Sequence, residues 1–395
     1  MRAAALVLLV ACHAAIPELP SKGGPAWTEV TSEHFVLWTD AGTKPANELI
    51  RQMEFLHQVI FGVAFPGKSD VGRSFVIGVR DTFEIHAYLP DQFGAMTMGG
   101  TSLRIPTILL PMDTDERDGH VVTHELSHLI SHVAIHDQPP WFAEGLAEFF
   151  ETVRLDPDKA QVDVGEPLTN QVASVRRYPL VPGPQLFACK AMGCRDSAFY
   201  ATSALTFSYL ANTHPDQLVM LEDELAKDNP RAWDVTGIAP GDLDRLVRTW
   251  VLQGQHRVWH FTAKLKIPQT ASRTLTDQDV IALRAFLDDA FHGKREPALT
   301  ALKADPTNVM LRLVAQQPGT PEEARATVAA HPEDWRAYLL LLEAIKVHDD
   351  EAKAARAKLC ELVAANPAAE LSRSFCPLDR VPAGPEGGQQ PPVTQ

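Results

Sequence analysis

The chain has 395 residues, 45% of them apolar and 22% charged, which is enough for two or three domains with sizeable cores and is ordinary for a globular protein. Its net charge of −14 argues against a general binder of nucleic acid or of anionic membrane surfaces. Neither figure identifies a substrate.

In chain order, MRAAALVLLVACHAA comes first, with one Arg and then an apolar run from Ala3 to Ala11. That run is too short to cross a bilayer as a helix and reads as a signal-peptide core over residues 1–11. Its end, Leu9-Val10-Ala11-Cys12, resembles the lipobox of bacterial lipoproteins. The resemblance implies acylation of Cys12, export to the cell envelope, sorting to the outer membrane, and membrane attachment through lipid alone. A plain secretory signal is the alternative. Residues 12–26 are then a flexible, lipidated tether.

WTEVTSEHFVLWTD alternates and is rich in aromatic and β-branched residues, which predicts one or two strands. Leu49, Met53, Leu56, Val59 and Ile60 recur at helical spacing. RSFVIGVR predicts a strand, TFEIHAYL a short helix, and SLRIPTILLPM another strand that Pro106 marks as an edge or a bulge. A helix over about 119–135 follows, stopped by Pro139-Pro140, and a second helix starts near Trp141. Residues 156–185 read as a long polar insertion, either a lid or a surface loop. Residues 198–226 predict two helices and 240–262 a third, before a polar break near 266–274.

From about 276 to 376 the pattern becomes Ala/Leu-rich helix. Three segments, ALTALKADPTN, ARATVAAHPED and KLCELVAANPAA, end alike, with Pro spacings of 26 and 35 residues. They resemble degenerate tetratricopeptide-type repeats, with an ordinary helical bundle as the alternative; repeats would offer a surface for a protein partner. Residues 381–395 are too rich in Pro, Gly and Gln to pack. Beyond Cys12 the cysteines form two local pairs, Cys189/Cys194 and Cys360/Cys376. In an oxidising compartment these are the natural disulfides, although four cysteines allow three connectivities, and a four-cysteine metal site is the weaker alternative.

The chemistry concentrates in GHVVTHELSHLISHVAIHDQPPWFAEGLAEFFE, residues 119–151. On a helix, His124 and His128 differ by about 40° in direction and can bind one ion. Glu125, beside them, can take a proton from metal-bound water and pass it to a leaving amine. Histidine also recurs at 120, 132 and 136, but the drift of the ladder turns its ends roughly 160° apart. His120, His132 and His136 therefore read as surface or supporting residues.

Together, His-Glu-x-x-His and the later Trp-Phe-Ala-Glu-Gly-Leu-Ala-Glu-Phe resemble the gluzincin metallopeptidases, including peptidase-MA-like proteins. The resemblance, which covers roughly residues 27–260, implies an α+β zincin-like domain over 27–265 with a mixed sheet whose edge strand receives extended substrate; the Ala/Leu-rich pattern places a helical, repeat-like domain over 266–380 after it. The resemblance also implies one Zn²⁺ held by His124, His128 and Glu144, with Glu125 as catalytic base, Glu148 supporting a His ring, and Tyr200 of FYATSALTFSYL stabilising an oxyanion. Gly145 would let a helix approach closely. The segment TSLRIPTILLP is the candidate edge strand, or else an inner one. The short gap from His128 to Glu144 and the lack of Gly-x-Met-Glu-Asn argue against an aminopeptidase. The expected function is hydrolysis of peptide bonds in peptides or proteins. Two other readings stand beside it: a catalytically idle metal-binding scaffold of the envelope, and hydrolysis of an ester or a cell-wall amide.

Overall fold

The computed structural model describes residues 16–66, 72–90, 94–99, 101, 103–113, 119–156, 161–166, 169–262, 266–345, 350–366 and 376. The signal segment, Cys12 and residues 381–395 lie outside them.

The fold is α+β, with a mixed six-stranded sheet. Its strands are β1 (Thr28–Thr31), β2 (Phe35–Thr39), β3 (Ser74–Val79), β4 (Met96–Met98), β5 (Thr107–Pro111) and, far along the chain, β9 (Ala271–Thr274). They lie in the order β4-β5-β3-β2-β1-β9. β2/β3 and β3/β5 are parallel; β1/β2, β1/β9 and β4/β5 are antiparallel. Parallel strands covered on both faces need apolar residues on both, and SFVIGV of β3 is buried throughout.

The pleat sends alternate side chains to two cores. Val76, Ile108 and Leu110 join Leu37, Ile50, Met53, Leu126 and Ile130 beneath α1 (Thr43–Ala64) and α3 (Gly119–Ala134). Phe75, Ile77 and Leu109 join Trp38, Ile85, Leu283, Phe286 and Leu311 on the other face. That second face is covered by α2 (Thr82–Ile85), α10 (Asp277–His292), α11 (Glu296–Ala301) and α12 (Val309–Val314). The boundary expected at 265–266 is thus crossed by the sheet and by one of its cores. Smaller clusters hold α13 (Pro321–Ala330), α14 (Trp335–Ile345) and α15 (Asp350–Ala364).

Three other expectations are resolved or change. Of the two positions left open for it, β5 takes the inner one, and the three-residue β4 is the edge on that side. Pro106 is compatible with this because it precedes the strand, where its carbonyl accepts from the Phe75 N–H at 3.0 Å and its missing N–H breaks no described ladder bond. Within 156–185, the described residues form β7 (Gln161–Val164), α5 (Thr169–Arg177) and the start of α6 (Gly183–Ala188), and Val164, Val175 and Leu180 enter the first core. The helix expected over 240–262 is α9 (Leu243–Leu252); Gly254, at φ +64°, turns the chain out of it into β8 (Trp259–Thr262). β8 pairs with β7, which pairs with β6 (Arg154–Asp156), in a separate three-stranded sheet. Both disulfides, Cys189–Cys194 and Cys360–Cys376, are formed.

Next to the first core, α4 (Pro140–Phe150) lies against α7 (Ser197–Thr213), and α8 (Pro215–Ala226) follows. Gly145 is the point of closest approach: a Cβ there would meet the Ser203 carbonyl oxygen at 2.6 Å and Phe207 Cβ at 3.0 Å. Alanine gains about 1 kcal/mol in intrinsic helix propensity over glycine. A backbone oxygen cannot rotate away, however, and overpacking costs about 1–3 kcal/mol. Gly145→Ala is therefore expected to lower the urea midpoint; an unchanged midpoint would mean that α7 yields freely.

Candidate metal centre

Two consecutive helices build the centre. α3 buries Val122, Leu126, Leu129 and Ile130, which turns His124 and His128 toward α4. Gln138 donates to Ser131 Oγ at 3.0 Å, tying the connection to the helix it leaves. Pro139 caps α4 with extended backbone, and Pro140 occupies its first turn, where no N–H is needed. On α4, Glu144, Glu148 and the C-cap residue Glu151 recur at i, i+4 and i+7, so they form one stripe.

His124 Nε2 and His128 Nε2 lie 3.0 Å apart, and Glu144 Oε2 is 3.6 Å from the first and 3.2 Å from the second. A tetrahedral ion with bonds of about 2.0–2.1 Å needs donors roughly 3.3 Å apart. The three separations straddle that value, so the spacing of the donors suits a small divalent metal. The structure thus contains a group able to hold a metal ion, made of His124, His128 and Glu144. Two imidazoles and one carboxylate suit several first-row ions.

No protein-family model matches the chain, and no curated protein does.

The surrounding charges explain how the group is held. His124 Nδ1 pairs with Glu151 Oε1 at 2.5 Å, which fixes the ring. Glu148, expected in that role, instead accepts from Gln171 Nε2 at 2.5 Å. Burial pushes the Glu148 carboxyl up to about pH 7, and the neighbouring Glu151 adds to the rise. Burial also raises Glu144, but hydrogen bonds from His124 and His128 outweigh it and hold the carboxyl far below the usual range. Arg195 Nη1 donates to the other oxygen, Glu144 Oε1, at 3.3 Å. Glu125 is half-buried one residue beyond His124, and the Thr97 hydroxyl on β4 donates to its backbone carbonyl at 2.8 Å.

Tyr200, in the first turn of α7, packs against the main core. Burial raises its phenol, with the Glu144 charge next in effect and those of Glu148 and Glu125 adding to it, so it faces the same electrostatic field. Its hydroxyl makes no hydrogen bond among the described residues. The rest of the histidine ladder points elsewhere: His120 Nδ1 contacts the Glu151 carbonyl at 2.6 Å, and the His132 and His136 rings lie 5.4 Å apart. Glu151 escaped the sequence reading, although its i+7 spacing from Glu144 was a signal for it.

One pH effect follows from this geometry. Burial alone would lower the His124 pKa, but the carboxylates of Glu144 and Glu151 dominate and raise it from 6.5 to about 10. In the metal-free chain this pairing stabilises the fold fully below about pH 6.5 and fades as pH climbs through about 10. An incoming metal must displace the same proton. Metal affinity is therefore expected to rise about tenfold per pH unit from about 7 to 9, with at least one proton released per ion. Calorimetry in buffers of different ionisation enthalpy measures that proton; buffer-independent heats would rule it out.

Proposed function

We propose that the chain is a zinc-dependent hydrolase of peptide bonds, of gluzincin type. The reading rests chiefly on one observation: His124, His128 and Glu144 converge to within 3.0–3.6 Å, with the carboxylate of Glu125 next in sequence on the same helix. Those three residues would hold one Zn²⁺. When bound, such an ion would supply Lewis acidity toward the scissile carbonyl and toward a water.

The other roles belong to the chain's own side chains. Glu125 accepts the proton of the attacking water and delivers it to the leaving amine. Glu151 orients His124, in place of the expected Glu148. Tyr200 donates its hydroxyl to the developing oxyanion. The sheet edge β4, in place of β5, receives an extended peptide, and Thr97 already links that edge to the backbone of Glu125.

The proposal extends to the rest of the chain as the sequence suggests. Cys12 is acylated and anchors an exported, outer-membrane protein. The helices after residue 276 are tetratricopeptide-like and carry a protein partner. No described helix is long and apolar enough to cross a membrane.

A peptide-library digest tests the activity. Cleavage that a chelator abolishes and added zinc restores is the expected result. Zinc bound without cleavage of any peptide, with ester or amide turnover in its place, would redirect the reading to another bond. Zinc bound with no turnover at all would favour the scaffold.

A further inference from the structure

The two oxygens of Glu144 are divided between different partners. Oε2 faces both imidazoles, while Oε1 accepts from Arg195. A free carboxylate can bind a metal through one oxygen or two. Arg195, by occupying Oε1, leaves Oε2 alone for an ion. The guanidinium has no other ionic partner among the described residues, and its buried Nε makes no hydrogen bond there. Glu125, Glu144 and Glu148 lie on α3 and α4 and Glu151 at the C-cap of α4, so once a metal has displaced the His124 proton, Arg195 faces an excess of carboxyl groups and leaves the field attractive to the ion. Arg195 therefore adds orientation more than charge.

Arg195 is itself fixed on both sides. Cys194, just before it, is bonded to Cys189 across a five-residue separation. Cys189 is buried in the main core, and the Cys194 N–H donates to the Ala191 carbonyl at 3.3 Å. Asp196, just after it, caps α7 by accepting from the Phe199 N–H at 2.9 Å. Cys194 is exposed, so a thiol can reach the disulfide.

We propose that Arg195 is a positioning residue for Glu144, and that the Cys189–Cys194 disulfide beside it makes metal affinity at this centre sensitive to reduction. The inference rests on the metal centre proposed above. The chemical step is ordinary exchange: a dithiol reductant gives two electrons and two protons, the Cys189–Cys194 bond becomes two thiols, and the reductant becomes a disulfide. The segment carrying Arg195 then loses one of its two anchors, and Glu144 loses its fixed orientation.

The test measures Zn²⁺ affinity by competition with a chromogenic chelator, on the full chain. Variants are Arg195→Lys, Arg195→Gln, Cys189→Ser with Cys194→Ser, and the triple variant. Circular dichroism and melting in EDTA record the metal-free fold. Arg195→Gln is expected to lose about 10–100-fold in affinity at an unchanged metal-free melt, with Lys recovering part of it. The double serine variant should fall in the same direction, and the triple variant should match Arg195→Gln. A phosphine delivers the same two electrons and takes oxygen from water to become the phosphine oxide, while the water's protons go to the thiols. Reduction of wild type with it should mimic the double serine variant and leave that variant unchanged, which separates this bond from Cys360–Cys376. Unchanged or raised affinity in Arg195→Gln would overturn the proposal, as would an additive triple variant. Wild type that binds no zinc would remove the metal centre as well, so the two failures are told apart.

Discussion

Glu144→Ala is expected to abolish metal binding at the candidate centre. Structural zinc sites are worth about 10–16 kcal/mol over four ligands, so one ligand carries roughly 3–4 kcal/mol, or about 10²–10³-fold in affinity. Glu144 is the one anionic member of the triad, which places the loss at the upper end. Alanine also leaves His124, His128 and Arg195 facing a buried gap where the carboxylate stood. Breaking such a buried ionic group costs about 3–5 kcal/mol of fold stability. Glu144→Gln keeps the shape and is the companion variant: it should fold yet bind metal poorly. Metal analysis after dialysis decides the matter. A stoichiometric ion retained in both variants would mean that the metal, if any, sits elsewhere.

Glu125→Gln should do the opposite, keeping the ion and losing the reaction. Glutamine matches glutamate in size, and Glu125 is outside the triad whose donor atoms converge. The amide cannot accept a proton, and general-base catalysis is worth about 10²–10⁴-fold. Turnover of a cleaved library peptide should fall by that factor at unchanged metal content. Equal turnover in the variant would remove Glu125 as the base. Loss of metal would instead make Glu125 a ligand.

Much of this was legible because each signal was local. Strands β1, β2, β3 and β5 show as alternating or continuous apolar runs, and α1, α3, α4, α7 and α8 as helical segments, with Pro139-Pro140 between α3 and α4 and His214-Pro215 between α7 and α8. The pairing of His124 with His128 could be expected from their spacing on one helix, and the Pro-Pro break allowed a second helix to return to them; that Glu144 rather than Glu148 completes the group was implied by the metallopeptidase resemblance alone. What escaped was what depends on distant partners. β4 has three residues, too few for a period, and exists because β5 offers it a ladder. β9 (ASRT) has no buried residue and reads as a polar break; only β1 makes it a strand. The ring of His124 is held by Glu151 rather than Glu148 because the i+7 residue ends nearer its Nδ1. Arg195 had no signal at all, since its position comes from a disulfide and a helix cap.

The pairing of β1 with β9 also governs how the chain comes to be folded. Thr28 lies opposite Thr274, with every residue of the metal centre between them in sequence. Closing so large a loop slows folding, because the entropy is lost before the contacts form. As the chain emerges, β1 keeps one row of N–H and C=O groups unpaired until the segment after residue 270 has followed it into the same compartment. That open row invites pairing with other copies of the chain. By contrast, α3 and α4 are neighbours and can meet early. The nascent molecule can thus assemble its chemistry before it has sealed its sheet, and in that interval aggregation competes most strongly with folding.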